Sequence, residues 1–293
     1  MRVALIGLGY WGKIIYKNLK QVSEITEIKI CDPLFAGQKI DGITEEIDSK
    51  YYDYDVDCAF VVVPAKYHKK VVEFFLASKV HVFCEKPLCL NNKDVETLYK
   101  LAEQNEVKLF VDWIFTFNED IRSIKSLYKN GYFGEIKNVE MNRLNFGPVR
   151  NDVDARWDLS SHDVSIIQYI FDDKEPEKIT WINYKRDQNG LQNDTSVGVL
   201  NYSSFDCIIN SSWQYGKKFR KCLLEFEKGF LLWDDKEQQI FFNKELLEKP
   251  HSKSPLKNSI YEFLNYCKTS EMTYDQKKLT EVVTKICSHE SKI

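Results

Sequence analysis

Two patterns of apolar and polar positions divide the chain. In the first third, short continuous apolar runs alternate with stretches of helical spacing. "RVALIG" reads as a buried strand that breaks at Gly7, and from Trp11 onward Ile14, Ile15, Leu19 and Val22 share one helical stripe. "EIKICD" is the next strand, ending at Asp32, and "DCAFVVVP" another, ending at Pro64. "YHKKVVEFFLASK" has helical spacing through Val71, Val72, Phe75 and Leu76, and "VHVFC" is strand-like again. "NNKDVETLYKLAEQNE" predicts a helix with Asn92 as its N-cap and Val95, Leu98 and Leu101 facing inward, before "VKLFVDW" closes the series as a strand. Fully apolar strands alternating with helices imply a parallel sheet covered on both faces. The expectation is an α/β, doubly wound domain over residues 1–115.

Beyond it the period changes. Residues 118–130 look helical and stop near Asn130-Gly131. Strand-like segments follow: "IKNVEMNRLNF", "KITWINYK", "TSVGVLNY", "DCIINSSWQ", "KCLLEFEKGFLLWDD" and "QQIFFNK", several of them alternating polar and apolar residues. The Lys-Gly of "LEFEKGFLLW" and the "NYSSFD" junction read as hairpin turns. "RWDLSSHDVSIIQYIF" is read as one helix with Val164, Ile167 and Phe171 on its apolar stripe, and two more helices cover roughly 255–268 and 275–288. This predicts an α+β domain over 116–293 with a largely antiparallel open sheet, its terminal helices able to pack back on the first domain.

Composition adds limits. Hydrophobic residues form 43% of the 293, enough for a sizeable core, and a net charge of −3 with no basic stripe argues against a nucleic-acid partner. The eight cysteines show neither Cys-x-x-Cys pairing nor zinc-site spacing, so they read as reduced, mostly buried thiols and no metal is expected. No apolar run approaches the roughly 18 residues of a membrane span, and the opening Met-Arg-Val-Ala-Leu-Ile-Gly is short for a signal peptide. A cytoplasmic protein with no membrane partner is expected.

Candidate chemistry begins in the first strand-to-helix turn. "GLGYWG" is a complete G-x-G-x-x-G at Gly7, Gly9 and Gly12. Gly7 permits the tight turn, Gly9 lets the backbone approach a pyrophosphate, and Gly12 lets helix and strand pack closely. The helix N-terminus then offers N–H groups to phosphate. Asp32 ends the second strand 20 residues after Gly12, where a carboxylate can accept from the adenosine ribose hydroxyls. The alternative is a turn-forming Asp before Pro33. A carboxylate here repels a 2′-phosphate and no Arg follows, so NAD is expected over NADP.

Two further groups stand in the second domain. Asp158 and His162 lie four apart on a helix, so a carboxylate can orient the ring and favour the imidazolium; the alternative is a capping Asp and a surface His. Upstream, "NRLNFGPVRNDVDAR" reads as a polar loop with Arg143, Arg150 and Arg156. It is either a solvated loop or a cleft lip whose guanidinium groups bind an anionic substrate.

Taken together, "GLGYWG", Asp32, "VVVPAKYH", "CEKPL" and "WDLSSHD" resemble the Gfo/Idh/MocA oxidoreductases along essentially the whole chain. The resemblance implies a Rossmann-type first domain and NAD held by Gly7, Gly9, Tyr10, Trp11, Gly12, Asp32, Pro64, His68, Glu85 and Lys86. It implies that Glu85 lies near the nicotinamide ribose, that Lys86 points at the reacting oxygen with Pro87 fixing the turn, and that Asp158 and His162 form the second catalytic pair, meeting Lys86 over the nicotinamide. His162 is then the first choice as base with Lys86 polarising the oxygen, the reverse being the alternative. "RLNFGPVRNDVDARWDLSSHD" is similar to a branch with UDP-N-acetylglucosamine or uronate 3-dehydrogenases, which implies a sugar or nucleotide-sugar substrate touching Arg143, Asn145, Arg150 and Trp157. The alternatives are an inositol or free-sugar dehydrogenase, a dinucleotide-binding regulator without catalysis, and a cofactor recycled in place. A homo-oligomer, dimer or tetramer, is implied as well. The chain departs from the family pattern at Val63, where Thr is frequent, at Asp112, where a small residue is common, and in its short second domain.

Overall fold

Strand β1 (Arg2–Ile6), helix α1 (Tyr10–Leu19), β2 (Glu27–Cys31), β3 (Ile47–Asp48), β4 (Cys58–Val61), α2 (Ala65–Ala77), β5 (His81–Cys84), α3 (Asn92–Gln104) and β6 (Leu109–Val111) follow one another as the apolar pattern requires. The computed structural model describes residues 1–172, 174–187, 189–248 and 254–290. The chain divides into two compact units, one of Met1–Asp112 with Leu256–Thr280 and one of Trp113–Pro255 with Glu281–Ile293. In the first, all six strands are parallel and ordered β3-β2-β1-β4-β5-β6. The order reverses between β1 and β4, so the C-terminal ends of these strands bound the crevice where such sheets bind ligands. Every residue of β4 is buried, as a strand covered on both faces must be. The N-cap of α3 is Asn91, not Asn92: Asn91 Oδ1 accepts from the Asp94 backbone N–H at 3.0 Å. Asn91 alone has the extended backbone that aims its side chain back at the first turn.

The second unit opens with a 3₁₀ turn (Ile114–Phe117) and α4 (Glu119–Lys129), capped by Asn118 and stopped at Gly131 with φ +70°. Strand β7 (Ile136–Phe146) leads into α5 (Ser161–Ile170), then β8 (Lys178–Tyr184), β9 (Thr195–Asn201), β10 (Asp206–Ser212), β11 (Gln214–Phe226), β12 (Gly229–Asp234), β13 (Gln239–Phe242) and β14 (Glu245–Leu246). The sheet order is β14-β13-β12-β11-β7-β10-β9-β8, antiparallel except for the parallel pair β7–β10. Both expected hairpins are present, Asn201 facing Asp206 and Phe226 facing Gly229. One face is covered by helices: Trp233 Nε1 donates to Asp120 of α4 at 3.0 Å, and Gln168 of α5 donates to Tyr202 at 2.8 Å. The other exposes Ile208, Leu223 and Phe230. The segment expected as a single helix from Arg156 begins instead as a π-turn (Arg156–Ser160), in which the Ser161 N–H donates to Arg156 O.

Helix α6 (Pro255–Thr269) and the start of α7 (Gln276–Ser288) return to the first unit. Phe263 is fully buried, with its ring 5.4 to 5.6 Å from those of Phe60, Phe83 and Phe110 on β4, β5 and β6. Gln276 brackets the edge strand β6, donating to Val111 O and accepting from Val111 N, each at 3.2 Å, so an edge that would otherwise expose backbone groups is closed by one side chain. Among the described residues no helix is long and apolar enough to cross a membrane, and no His, Cys, Asp and Glu cluster could hold a metal ion.

Candidate functional site

The glycine loop follows from what its backbone must avoid. Gly7 has φ +101°, and a Cβ there would lie 2.5 Å from Val62 O; a Cβ on Gly12 would lie 2.2 Å from Gly7 O. Neither position has room for a side chain. A Cβ on Gly9, by contrast, would meet nothing within 4 Å. Gly9 is also the N-cap of α1 and brings no side-chain acceptor to the first turn. The loop thus presents an open backbone and a helix N-terminus without a side-chain cap, which fits a pyrophosphate. Tyr10 is 84% exposed beside it.

Asp32 joins this loop to the end of β2. Its Oδ2 accepts from Leu8 N at 2.7 Å and its Oδ1 from Leu34 N at 2.9 Å. The turn-forming role is therefore real, and each oxygen keeps a further lone pair for another donor. His68 departs from its expected cofactor contact. It is 1% exposed, with Nδ1 2.7 Å from Pro87 O and Nε2 2.8 Å from Val63 O. The ring is a strut between the turn at Pro64, which caps α2, and the turn at Pro87.

The Glu-Lys-Pro stretch sits at the C-terminal end of β5, with a cis peptide between Lys86 and Pro87. Trp11 Nε1 donates to Glu85 Oε1. Lys86 is largely buried. Burial pushes the Glu85 carboxyl up from its ordinary range, opposed by Trp11, by Lys86 and by a hydrogen bond with Asp112. Asp112, just past β6, is held well above the carboxylate range by burial and then by the Glu85 charge. Ser259 of α6 donates to Asp112 Oδ1 at 2.6 Å. The sequence marked Asp112 as an acidic departure, but Ser259 carried no local signal, being 147 residues away.

In the second unit, the expected arginine lip is not a free anion cradle. Arg143 is 3% exposed: its Nε and one terminal nitrogen donate to Asp163 Oδ1 at 2.9 and 2.7 Å, and its guanidinium lies 4.5 Å over the Phe115 ring. The reason is β-sheet alternation. Residues 142–146 continue β7, as "IKNVEMNRLNF" predicts and the loop reading of "NRLNFGPVRNDVDAR" does not, so Arg143 shares the buried face of Val139 and Met141. Arg150 spends its fork on Asp152 at 2.9 and 2.8 Å and reaches Asp158 Oδ1 at 3.2 Å. Arg156 donates to His289 O at 3.0 Å. Asp158 Oδ2 accepts from Trp213 Nε1 at 3.0 Å, an anchor that the sequence reading missed. Trp157 is buried. Asn145 donates to Gly147 O at 2.6 Å, while its buried Oδ1 meets no donor among the described residues. His162 is half-buried on the first turn of α5, its ring edge-on to Phe115 at 5.2 Å between centroids.

Comparison with known proteins agrees with this layout. Residues 1–113 match the family described as "Oxidoreductase family, NAD-binding Rossmann fold". Myo-inositol 2-dehydrogenase of Thermotoga maritima is 27% identical over 221 residues, which cover 70% of this chain and 66% of that enzyme, just under two thirds of its length. Trans-1,2-dihydrobenzene-1,2-diol dehydrogenase of Oryctolagus cuniculus is 29% identical over 80% of this chain and 72% of its own. The solved UDP-N-acetylglucosamine 3-dehydrogenase of Acidithiobacillus ferrooxidans shares the fold over 98% of this chain and 95% of its own, with a TM-score of 0.84 at 17% identity. With its glycine loop, its strand order and its Glu-Lys-Pro turn, the stretch from residue 1 to residue 113 matches the model of the Gfo/Idh/MocA oxidoreductase family and its NAD-binding Rossmann fold.

Proposed function

We infer that the protein is an NAD(H)-dependent oxidoreductase acting on a secondary hydroxyl, or the matching ketone, of a sugar. The observation that carries this reading is Lys86, held at the C-terminal end of β5 beside Glu85 in a unit whose glycine loop is open to a dinucleotide. NAD, when bound, supplies the hydride acceptor. His162 takes the hydroxyl proton and Lys86 polarises the oxygen as it gains carbonyl character; the exchanged assignment is the alternative. Asp158 steadies the start of α5 through Trp213 and Arg150. The free lone pairs of Asp32 support NAD over NADP, because a 2′-phosphate would face a carboxylate. Gly7, Gly9, Tyr10, Trp11, Gly12, Pro64 and Glu85 complete the cofactor's surroundings in this reading. Asn145 Oδ1, an acceptor awaiting a donor, is the best-supported substrate contact.

Within the class, a nucleotide-sugar is favoured by the fold shared with the UDP-N-acetylglucosamine enzyme. A free sugar or cyclitol is the second reading, and it is favoured because each of the three arginines expected at a diphosphate, Arg143, Arg150 and Arg156, already bonds its own chain. The open sheet face with Ile208, Leu223 and Phe230 supports a homo-oligomer.

Thermal unfolding with NAD(H) and NADP(H), alone and with UDP-sugars, free sugars or inositol, tests both levels. Binding to the native state raises the midpoint by mass action. The expected result is a shift with NAD(H) that grows with one sugar, and turnover of that sugar abolished in Lys86→Ala and in His162→Ala. Retained activity in both variants would sink the catalytic assignment.

A further inference from the structure

At the C-terminal ends of β5 and β6 two carboxyl groups meet. Cys84 and Val111 face one another in the parallel pair β5–β6, so Glu85 and Asp112 follow side by side, and their carboxyls act directly on one another. Asp112 is 1% exposed; its Oδ1 takes the Ser259 hydroxyl, and no N–H or hydroxyl among the described residues reaches its buried Oδ2. The Asp112 N–H donates to Cys84 O at 2.9 Å, which ties the two strand ends together and fixes the distance between the side chains. On the other side, Glu85 Oε1 is held by Trp11. Two ionised carboxylates side by side would offer one another only lone pairs. Like charges in contact away from water also cannot both persist.

We propose that Glu85 and Asp112 share one proton, carried on Asp112 Oδ2, so that the pair presents a single negative charge to Lys86, and that Asp112 is thereby a positioning residue for the lysine. The location of the proton follows from the partners. Lys86 acts on both carboxyls but least on Asp112; Glu85 has Trp11 as well, whereas Asp112 has one neutral hydroxyl and is the more deeply buried. The titratable groups facing the pair are Lys86 and the Cys84 thiol, both from β5 and the turn after it; α1 contributes Trp11 and α6 contributes Ser259, neither of which titrates. A doubly charged pair would hold the lysine ammonium against two carboxylates. A singly charged pair balances it and leaves its remaining N–H groups for the substrate oxygen.

The shared proton stands without the function proposed above; the positioning role rests on it. Infrared spectroscopy of the full-length protein in D2O at neutral pH reads a protonated carboxyl as a C=O stretch separate from the carboxylate bands. The expected result is such a band in the unmodified protein, lost in Asp112→Asn and again in Glu85→Gln, where the amide itself supplies the donor. Absence of the band from the unmodified protein, or its survival in both variants, overturns the shared proton. Neither reading needs substrate or cofactor, so failure of the enzymatic assignment is seen separately. For the positioning role, the pH–rate profile of Asp112→Asn is decisive. In the unmodified protein the shared proton leaves at alkaline pH and the second charge then holds the lysine ammonium, whereas asparagine leaves one negative charge beside Lys86 at every pH, so the alkaline limb set by loss of the lysine proton moves to lower pH. An unmoved limb overturns the role, and if no sugar is oxidised by the unmodified protein the role falls with the function.

Discussion

Arg143 occupies an inward position of β7, bonded to Asp163 and stacked on Phe115, with Asp235 3.8 Å from its other terminal nitrogen. Burial works against both charges, and each is held by the other: Asp163 is pushed up by burial and pulled back by Arg143. Removing one partner strands the other in low dielectric, which costs about 3–5 kcal/mol, whereas replacing both with apolar groups of similar volume is close to neutral. Arg143→Met is therefore expected to lower stability by about that amount in urea unfolding, and Arg143→Met with Asp163→Leu to recover most of it. A loss confined to substrate affinity with unchanged stability would restore Arg143 to the substrate list. The contrast with the glycine loop is instructive. Gly7, Gly12 and Asp32 were legible because their constraints lie within one turn of chain. Arg143 fell under two readings, strand in "IKNVEMNRLNF" and polar loop in "NRLNFGPVRNDVDAR"; the strand holds, and alternation with Val139 and Met141 turns the residue inward.

The elements of the first unit were legible for a similar reason: each strand and helix announces itself over a dozen residues. Boundaries were less so, as α3 shows. Asn91 Oδ1 accepts from Asp94 N, Asn91 Nδ2 donates to Asp94 Oδ2 at 2.9 Å, and Lys69 of α2 bonds Asp94 at 2.5 Å. Asn91→Ala should cost about 1 kcal/mol, as expected for loss of an N-cap, and Asn92→Ala clearly less. Denaturation midpoints for the two variants check it, and equal losses would refute the assignment. In the second unit the strands and hairpins could be read, but their order could not. Nothing local in "IKNVEMNRLNF" says that it lies between β11 and β10, or that its pairing with β10 is parallel.

For the molecule as a whole, the decisive contacts join distant parts of the chain. The aromatic cluster of Phe60, Phe83 and Phe110 is completed by Phe263, and β6 is closed by Gln276. A chain stopped before Leu256 is expected to lose the dinucleotide-induced thermal shift, and Phe263→Ala in the full chain to lower stability by about 3–5 kcal/mol. A truncated chain that still binds NAD with an unchanged shift would show that the dinucleotide site does not need Leu256–Thr280.

That same closure sets an order of events on the ribosome. Domains generally fold from the N-terminus as they emerge, at about 5–20 residues per second. Here the first unit emerges first but cannot finish first. After Asp112 appears, translation needs roughly ten to thirty seconds to deliver Gln276. Throughout that interval the nascent sheet has an open edge at β6 and a gap where Phe263 will lie, a template for the wrong strand. Efficient production should therefore depend on whatever shields nascent chains, and slowing translation after residue 112 should lower the yield of native protein rather than raise it.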